Sequence, residues 1–352
     1  MDKNLEKGKS KNFILILESC IEKYKIPIAG VSALILLGLP FMGFSQYIMR
    51  IFIMIGIYSM LALGLNILTG YTGLVSLGHA GFYAIGAYTA SLLSLKLGAN
   101  FFVAAIGGAM MAAICGLLVS LPTLRLKGTY LSIVTLGFGE IVKMILINWD
   151  KVTNGTLGLK SIPRPSIFGL KLTLANNGMY YLMLVLVALI TLLCVLLIKS
   201  KIGRAFMSIK EDELAAIMMG IKTTRYKALA FAISAFITGI TGAFYASMIG
   251  FIEPNSFTFD ISTLIISIVI FGGMGTIRGM FLGSAILIAF PEAFRFLMDY
   301  RFVVYGLVLV LMMRFRPQGM LGWKSQMPYK LPKLVKESLK KNNKDNLKTQ
   351  QI

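Results

Sequence analysis

Acidic residues are scarce in this chain: 15 Asp and Glu stand against 35 Lys and Arg, with one histidine and three cysteines among 352 residues. A single histidine, His79, excludes a multi-histidine haem, iron or copper centre. Cys20, Cys115 and Cys194 contain no C-x-x-C pair, so neither a disulfide framework nor a zinc site is suggested. A carboxylate-based membrane enzyme needs clustered acids, and few acids occur within the apolar runs. The phosphate-binding pattern G-x-x-x-x-G-K-[ST] is also missing, so a nucleotide site of that type is not suggested. What is abundant is apolar: 57% of residues are hydrophobic, 14% are charged, and the mean hydropathy is +0.77. That composition excludes an ordinary soluble or disordered domain and indicates a membrane protein. The formal net charge of +20 does not indicate a nucleic-acid partner. A nucleic-acid binder gathers its basic groups on a soluble face, whereas here they punctuate long apolar runs.

A bilayer-crossing helix needs roughly 20 largely apolar residues. Such runs fall at 26–47, 51–69, 76–95, 101–121, 130–148 and 179–198, followed by 228–249, 257–272, 279–298 and 302–315. The eighth and tenth are short, which admits tilted, broken or re-entrant segments. The expected fold is an all-α polytopic helical bundle of about ten spans, with eight to ten admissible. With the N-terminus cytoplasmic, 26 of the 35 basic residues sort to the inner side, so both termini are expected to be cytoplasmic. The domain reading is a cytoplasmic arm at 1–25, a transmembrane domain at 26–316 and a Lys-rich cytoplasmic tail at 317–352. The arm lacks an apolar core with a small-residue cleavage site, so it does not read as a cleaved signal peptide. Within the domain, an external turn-rich loop is expected at 149–178 and an internal loop at 199–227.

The 35 glycines are the second compositional oddity. Helices in lipid associate through small residues that let backbones approach, and Gly108, Ala112 and Gly116 form such a row, as do Gly242, Ala246 and Gly250. The stretch GYTGLVSLGHAGFYAIGAYTA at 70–90 goes further. Its glycines and polar groups suggest a broken or re-entrant helix, because irregular backbone at membrane depth is tolerated only inside protein or beside a watery cavity. His79 there is either a satisfied buried histidine or a pathway residue. A second polar cluster comprises Ser132, Thr135, Gly139, Glu140 and Lys143. Glu140 and Lys143 are neighbours on a helix and either neutralise each other or mark a substrate contact. Ser76, His79, Thr135 and Glu140 are therefore the translocation-pathway candidates.

The internal loop carries its own helix signal. Ser208-Ile-Lys-Glu211 has capping-box spacing, Leu214, Ile217, Met218 and Ile221 recur with helical period, and Gly220 can stop the helix. A helix lying on lipid would carry basic residues, but this one leads with Glu211, Asp212 and Glu213, which favours docking into a protein groove. Glu213-Leu-Ala215-Ala216-x-x-x-Gly220 resembles the EAA-type coupling loop of ABC importer permeases. The stretches GYTGLVSLGHAGFYAIGAYTA, RLKGTYLSIVTLGFGEIV, IGRAFMSIKEDELAAIMMGI, FIEPNSFTFDIS and FGGMGTIRG resemble, in order, the signatures of the high-affinity branched-chain amino acid permeases.

That resemblance implies a permease subunit in a bacterial cell membrane, carrying leucine, isoleucine or valine without a cofactor of its own. It implies pairing with a second homologous permease subunit, two ATP-binding subunits below and an extracytoplasmic solute-binding protein above. Glu211, Glu213, Ala215, Ala216 and Gly220 would then couple to the ATPase. Urea and short-chain amide permeases of the same superfamily share much of the pattern. An ion-coupled secondary transporter is a further alternative, although it would leave the cytoplasmic helix without a task.

Overall fold

Backbone polar groups in lipid must be satisfied internally, so long apolar runs become helices. The computed structural model describes residues 37–43, 45–123, 128–167, 170–174 and 176–293, with isolated positions between 303 and 321. The arm at 1–25, most of the expected spans at 26–47 and 302–315, and nearly all of the tail lie outside the described residues.

Helix α1 (Gln46–Asn66) runs on into a π-helical turn (Ile67–Tyr71). After an irregular link come α2 (His79–Lys96), α3 (Phe101–Thr123) and α4 (Thr129–Asn148). The connection that follows holds the short α5 (Asp150–Thr153) and a small hairpin of β1 (Ser166–Ile167) and β2 (Leu170–Lys171). Then follow α6 (Gly178–Lys199), α7 (Lys201–Glu211) and α8 (Glu213–Met218). The last three are α9 (Thr223–Ile249), α10 (Phe259–Gly272) and α11 (Ile277–Ala293). The architecture is thus helical, as expected, apart from the hairpin. Among the described residues, 6 helices are long and apolar enough to cross a membrane: Gln46–Tyr71, Phe101–Pro122, Tyr130–Asn148, Gly178–Lys199, Thr223–Ile249 and Pro254–Gly272.

Helix α9 is the central post, packed on α3, α2 and α1. The small-residue rows explain how it gets there. A Cβ on Gly86 of α2 would lie 2.4 Å from the Gly239 Cα of α9, and one on Gly242 would lie 2.3 Å from the Tyr83 carbonyl oxygen. Gly116 of α3 likewise meets Ala235, and Ala112 meets Gly239. Backbones this close gain dispersion along their whole contact, which is what drives helix association where no hydrophobic effect operates. Helices α4 and α6 instead leave one side apolar and exposed, with Ile133, Ile141 and Ile145 on α4 and Leu189, Leu192 and Leu196 on α6.

The bundle has two distinct ends. At one end the α4–α6 connection is joined to the α9–α10 turn, with Leu159 and Ile252 exchanging backbone hydrogen bonds. Tyr47 at the start of α1 donates to the Glu292 carboxylate at the close of α11 on that side. At the other end lie α7 and α8, against the π-helical close of α1.

Candidate functional site

The chain turns out of α6 at Ser200, whose hydroxyl oxygen accepts from the amides of Ile202 and Gly203 and so opens α7. The expected start at Ser208 is corrected. Ser208 lies inside α7 and its hydroxyl donates to the Arg204 carbonyl at 3.0 Å. The cap of α8 is Asp212, whose Oδ1 accepts from Leu214 at 2.8 Å and Ala215 at 3.1 Å. Asp212 prevails because its backbone is extended, leaving its carboxylate free to turn onto the amides two and three residues on, whereas Ser208 is already helical. The C-terminus closes as a Schellman motif: Gly220 donates to Ile217 and Ile221 to Ala216. Gly220 adopts φ +80°, the left-handed conformation that this motif requires.

Helix α8 presents Leu214, Met218 and Met219 outward at 66%, 85% and 82% exposure, with Ile217 beside them. Ala215 and Gly220 are exposed, whereas Ala216 is buried against its own subunit. Glu211 is exposed. Glu213 is held from behind, its carboxylate 2.5 Å from the Lys227 ammonium near the start of α9. The Lys227 side chain is only 5% exposed, so this pair ties α8 to the central post.

A second tie was not visible in the sequence. Lys210, near the end of α7, donates from Nζ to the Gly70 carbonyl at 2.7 Å. Gly70 sits in the π-helical turn, where the widened ladder frees carbonyls that an α-helix would occupy. Burial pushes the Lys210 ammonium below its ordinary value, and the adjacent Glu211 carboxylate pulls it partly back. One turn above, the Asn66 side chain accepts from the Gly275 amide at 2.8 Å and donates to the Thr276 carbonyl at 3.4 Å. Thus α7, the break after α1 and the turn between α10 and α11 are joined in one continuous set of contacts. The two glycine-rich stretches, near Gly70 and near Gly272, meet here.

Beyond the π-helical turn the chain is irregular until His79, so the irregular part of the expected broken or re-entrant segment is confined to this link and α2 starts three residues past the expected Ser76. Three of the four pathway candidates gather at this break. The Thr135 hydroxyl oxygen accepts from the Leu77 amide at 3.0 Å, while Ser76 Oγ lies 3.3 Å from His79 Nδ1. His79 Nε2 lies 2.7 Å from Ser234 Oγ, and Ser234 donates to the Gly64 carbonyl. Ser234 therefore accepts from the imidazole, which places the proton on Nε2. Ser76, His79 and Thr135 are all buried, so in this conformation they pin α2, α4, α9 and α1 together. Glu140 stands apart, half-buried on the flank of α4, and makes no ion pair with Lys143 among the described residues.

An apolar helical bundle with several helices long enough to cross a membrane has the form of a membrane transport protein. Residues 47–313 match the family described as the branched-chain amino acid transport system permease component, and the chain belongs to that family. It is 39% identical over 287 residues to the high-affinity branched-chain amino acid transport system permease protein LivM of Escherichia coli, covering 75% of this chain and 68% of that one. Identity to LivH of the same organism is 25% over 284 residues, covering 75% and 91%. The fructose import permease protein FrcC of Rhizobium meliloti is 27% identical over 220 residues, covering 57% and 61%. No solved structure matches the chain. The protein is a multi-pass permease of the bacterial cell membrane, a transport component rather than a catalytic subunit.

Proposed function

We propose that this chain is the LivM-like permease subunit of an ABC importer for leucine, isoleucine and valine. The observation that carries the reading is its 39% identity to LivM, against 27% over a shorter stretch to a fructose permease. A second, LivH-like permease subunit pairs with it, two ATP-binding subunits dock from the cytoplasm, and a solute-binding protein delivers cargo outside. The six long apolar helices, α2 and α11, and the runs at 26–47 and 302–315 make ten spans with both termini inside. This orientation puts α7 and α8 in the cytoplasm with the basic residues of that end.

Leu214, Ile217, Met218 and Met219 form the surface that enters the ATPase, with Ala215 and Gly220 allowing close approach and Glu211 at the rim. Ala216 and Glu213 act from behind, as the seat on which α8 rests. ATP-driven closure of the ATPases moves α8, and the Glu213–Lys227 and Lys210–Gly70 ties carry that motion to α9 and to the broken helix. The cargo route opens alternately to either side. Ser76, His79 and Thr135 sit at the moving break, and Glu140 is a further pathway candidate, apart from it on the flank of α4. No cofactor is required of this subunit, since ATP is consumed by its partners.

Uptake into proteoliposomes containing the full transporter tests the reading. Leucine, isoleucine and valine should accumulate on ATP addition, while urea, short-chain amides and fructose should not. Accumulation of urea or an amide in place of leucine would transfer the chain to that branch of the superfamily. ATP-independent uptake driven by an ion gradient would overturn the class.

A further inference from the structure

We infer that the end of the bundle opposite α8 holds a receiving site for a free aliphatic amino acid, a deepening of the function proposed above. A cavity of about 430 Å³ opens there between α1, α10, α11 and the α4–α6 connection, within the size range of small-ligand sites. It lies some 20 residues along α1 from Gly70, or about 30 Å.

Its lining combines two kinds of surface. Ile51, Met54, Leu264 and Ile288 make an apolar wall, while Arg50, Arg164 and Glu292 bring charge to the same cavity. Neither guanidinium makes a hydrogen bond or ion pair among the described residues, whereas the Glu292 carboxylate already accepts from Tyr47. Arg50 and Arg164 are both exposed residues lining the cavity, so their guanidiniums are open to an anionic group, and their planar donor fork suits a carboxylate best. The carboxylate of Glu292 repels a phosphate or a second acid and attracts an ammonium. An α-amino acid with a hydrocarbon side chain supplies all three features at once: a carboxylate for Arg50 and Arg164, an ammonium for Glu292, and a branched chain for the apolar wall. These residues come from three distant parts of the sequence and no motif joins them.

The test uses the full transporter in nanodiscs without solute-binding protein, with the native cysteines of this chain replaced and Met54→Cys introduced as a reporter. Leucine at millimolar concentration should slow modification of the reporter by a charged methanethiosulfonate several-fold. Isoamylamine, which lacks the carboxylate, and 4-methylpentanoate, which lacks the ammonium, should slow it far less. The double variant Arg50→Gln, Arg164→Gln should lose leucine protection, and Arg50→Lys, Arg164→Lys should recover part of it.

Protection by isoamylamine equal to that by leucine, or none by leucine, overturns the site. So does leucine protection that survives the double Gln variant while stimulation by the binding protein is lost, which would make this face a protein-docking surface. Leucine uptake by the unaltered transporter is measured in parallel. Uptake without protection refutes the site alone, and absence of uptake refutes the cargo itself.

Discussion

Replacing Lys210 with methionine removes the ammonium that holds the Gly70 carbonyl while keeping a long apolar stem. A hydrogen bond with one charged partner contributes about 1.5–3 kcal/mol, and the lower end applies because Lys210 is half-buried. About 1.4 kcal/mol is tenfold in an equilibrium constant. If the tie exists in one transport state and is broken in the other, its loss shifts their ratio roughly tenfold. The change occurs at the break in α1, about 30 Å from the far end of the bundle, and leaves the outer face of α8 unaltered. The assay is ATP hydrolysed per leucine imported, in proteoliposomes with the complete transporter. Lys210→Met should keep assembly and ATP hydrolysis while uptake falls roughly tenfold, so the ratio rises in step. Lys210→Arg, which retains a donor, should fall between. Normal stoichiometry in Lys210→Met, or a parallel loss of hydrolysis and uptake, would refute the role of this contact in transmission.

Four further outcomes follow from the same geometry. Gly220→Val places a β-branched residue at φ +80°, costing about 1–2 kcal/mol; uptake should drop with insertion intact, and Gly220→Asn should be milder. Glu213→Gln strands the buried Lys227 ammonium, a loss near the lower end of about 3–5 kcal/mol, read as a lower unfolding temperature; adding Lys227→Gln should restore part of it. Gly86→Val drives a side chain into Gly239 of α9, and overpacking of about 1–3 kcal/mol should appear as poor yield and early unfolding in detergent. His79→Ala should cost about 1–3 kcal/mol through the unsatisfied polar groups it leaves, without moving the half-saturation for leucine; a shifted half-saturation at unchanged stability would make His79 a cargo contact.

Much of this molecule was legible because its signals are local. The apolar runs become helices wherever the described residues permit the comparison, since a helix in lipid satisfies its own backbone within one segment. The helix break near Gly70 and the short helix at 213–218 were also readable from glycine content, period and acidic start. The cap was misplaced because Ser208 and Asp212 offer similar chemistry, and only the backbone conformation at each decides between them.

By itself, then, the sequence determined the membrane class, the sites of the helices, the distribution of basic charge and the family. These follow from composition, period and short motifs, which act over a few residues. Only the tertiary structure decided that Glu213 is held by Lys227, that Ala216 faces inward, and that His79 is buried against Ser234. It likewise decided that Lys210 reaches Gly70 across 140 positions of chain, and that Arg50, Arg164 and Glu292 share a cavity. Such contacts depend on which small-residue faces let two backbones approach, a choice made by packing over the whole bundle rather than by any single segment.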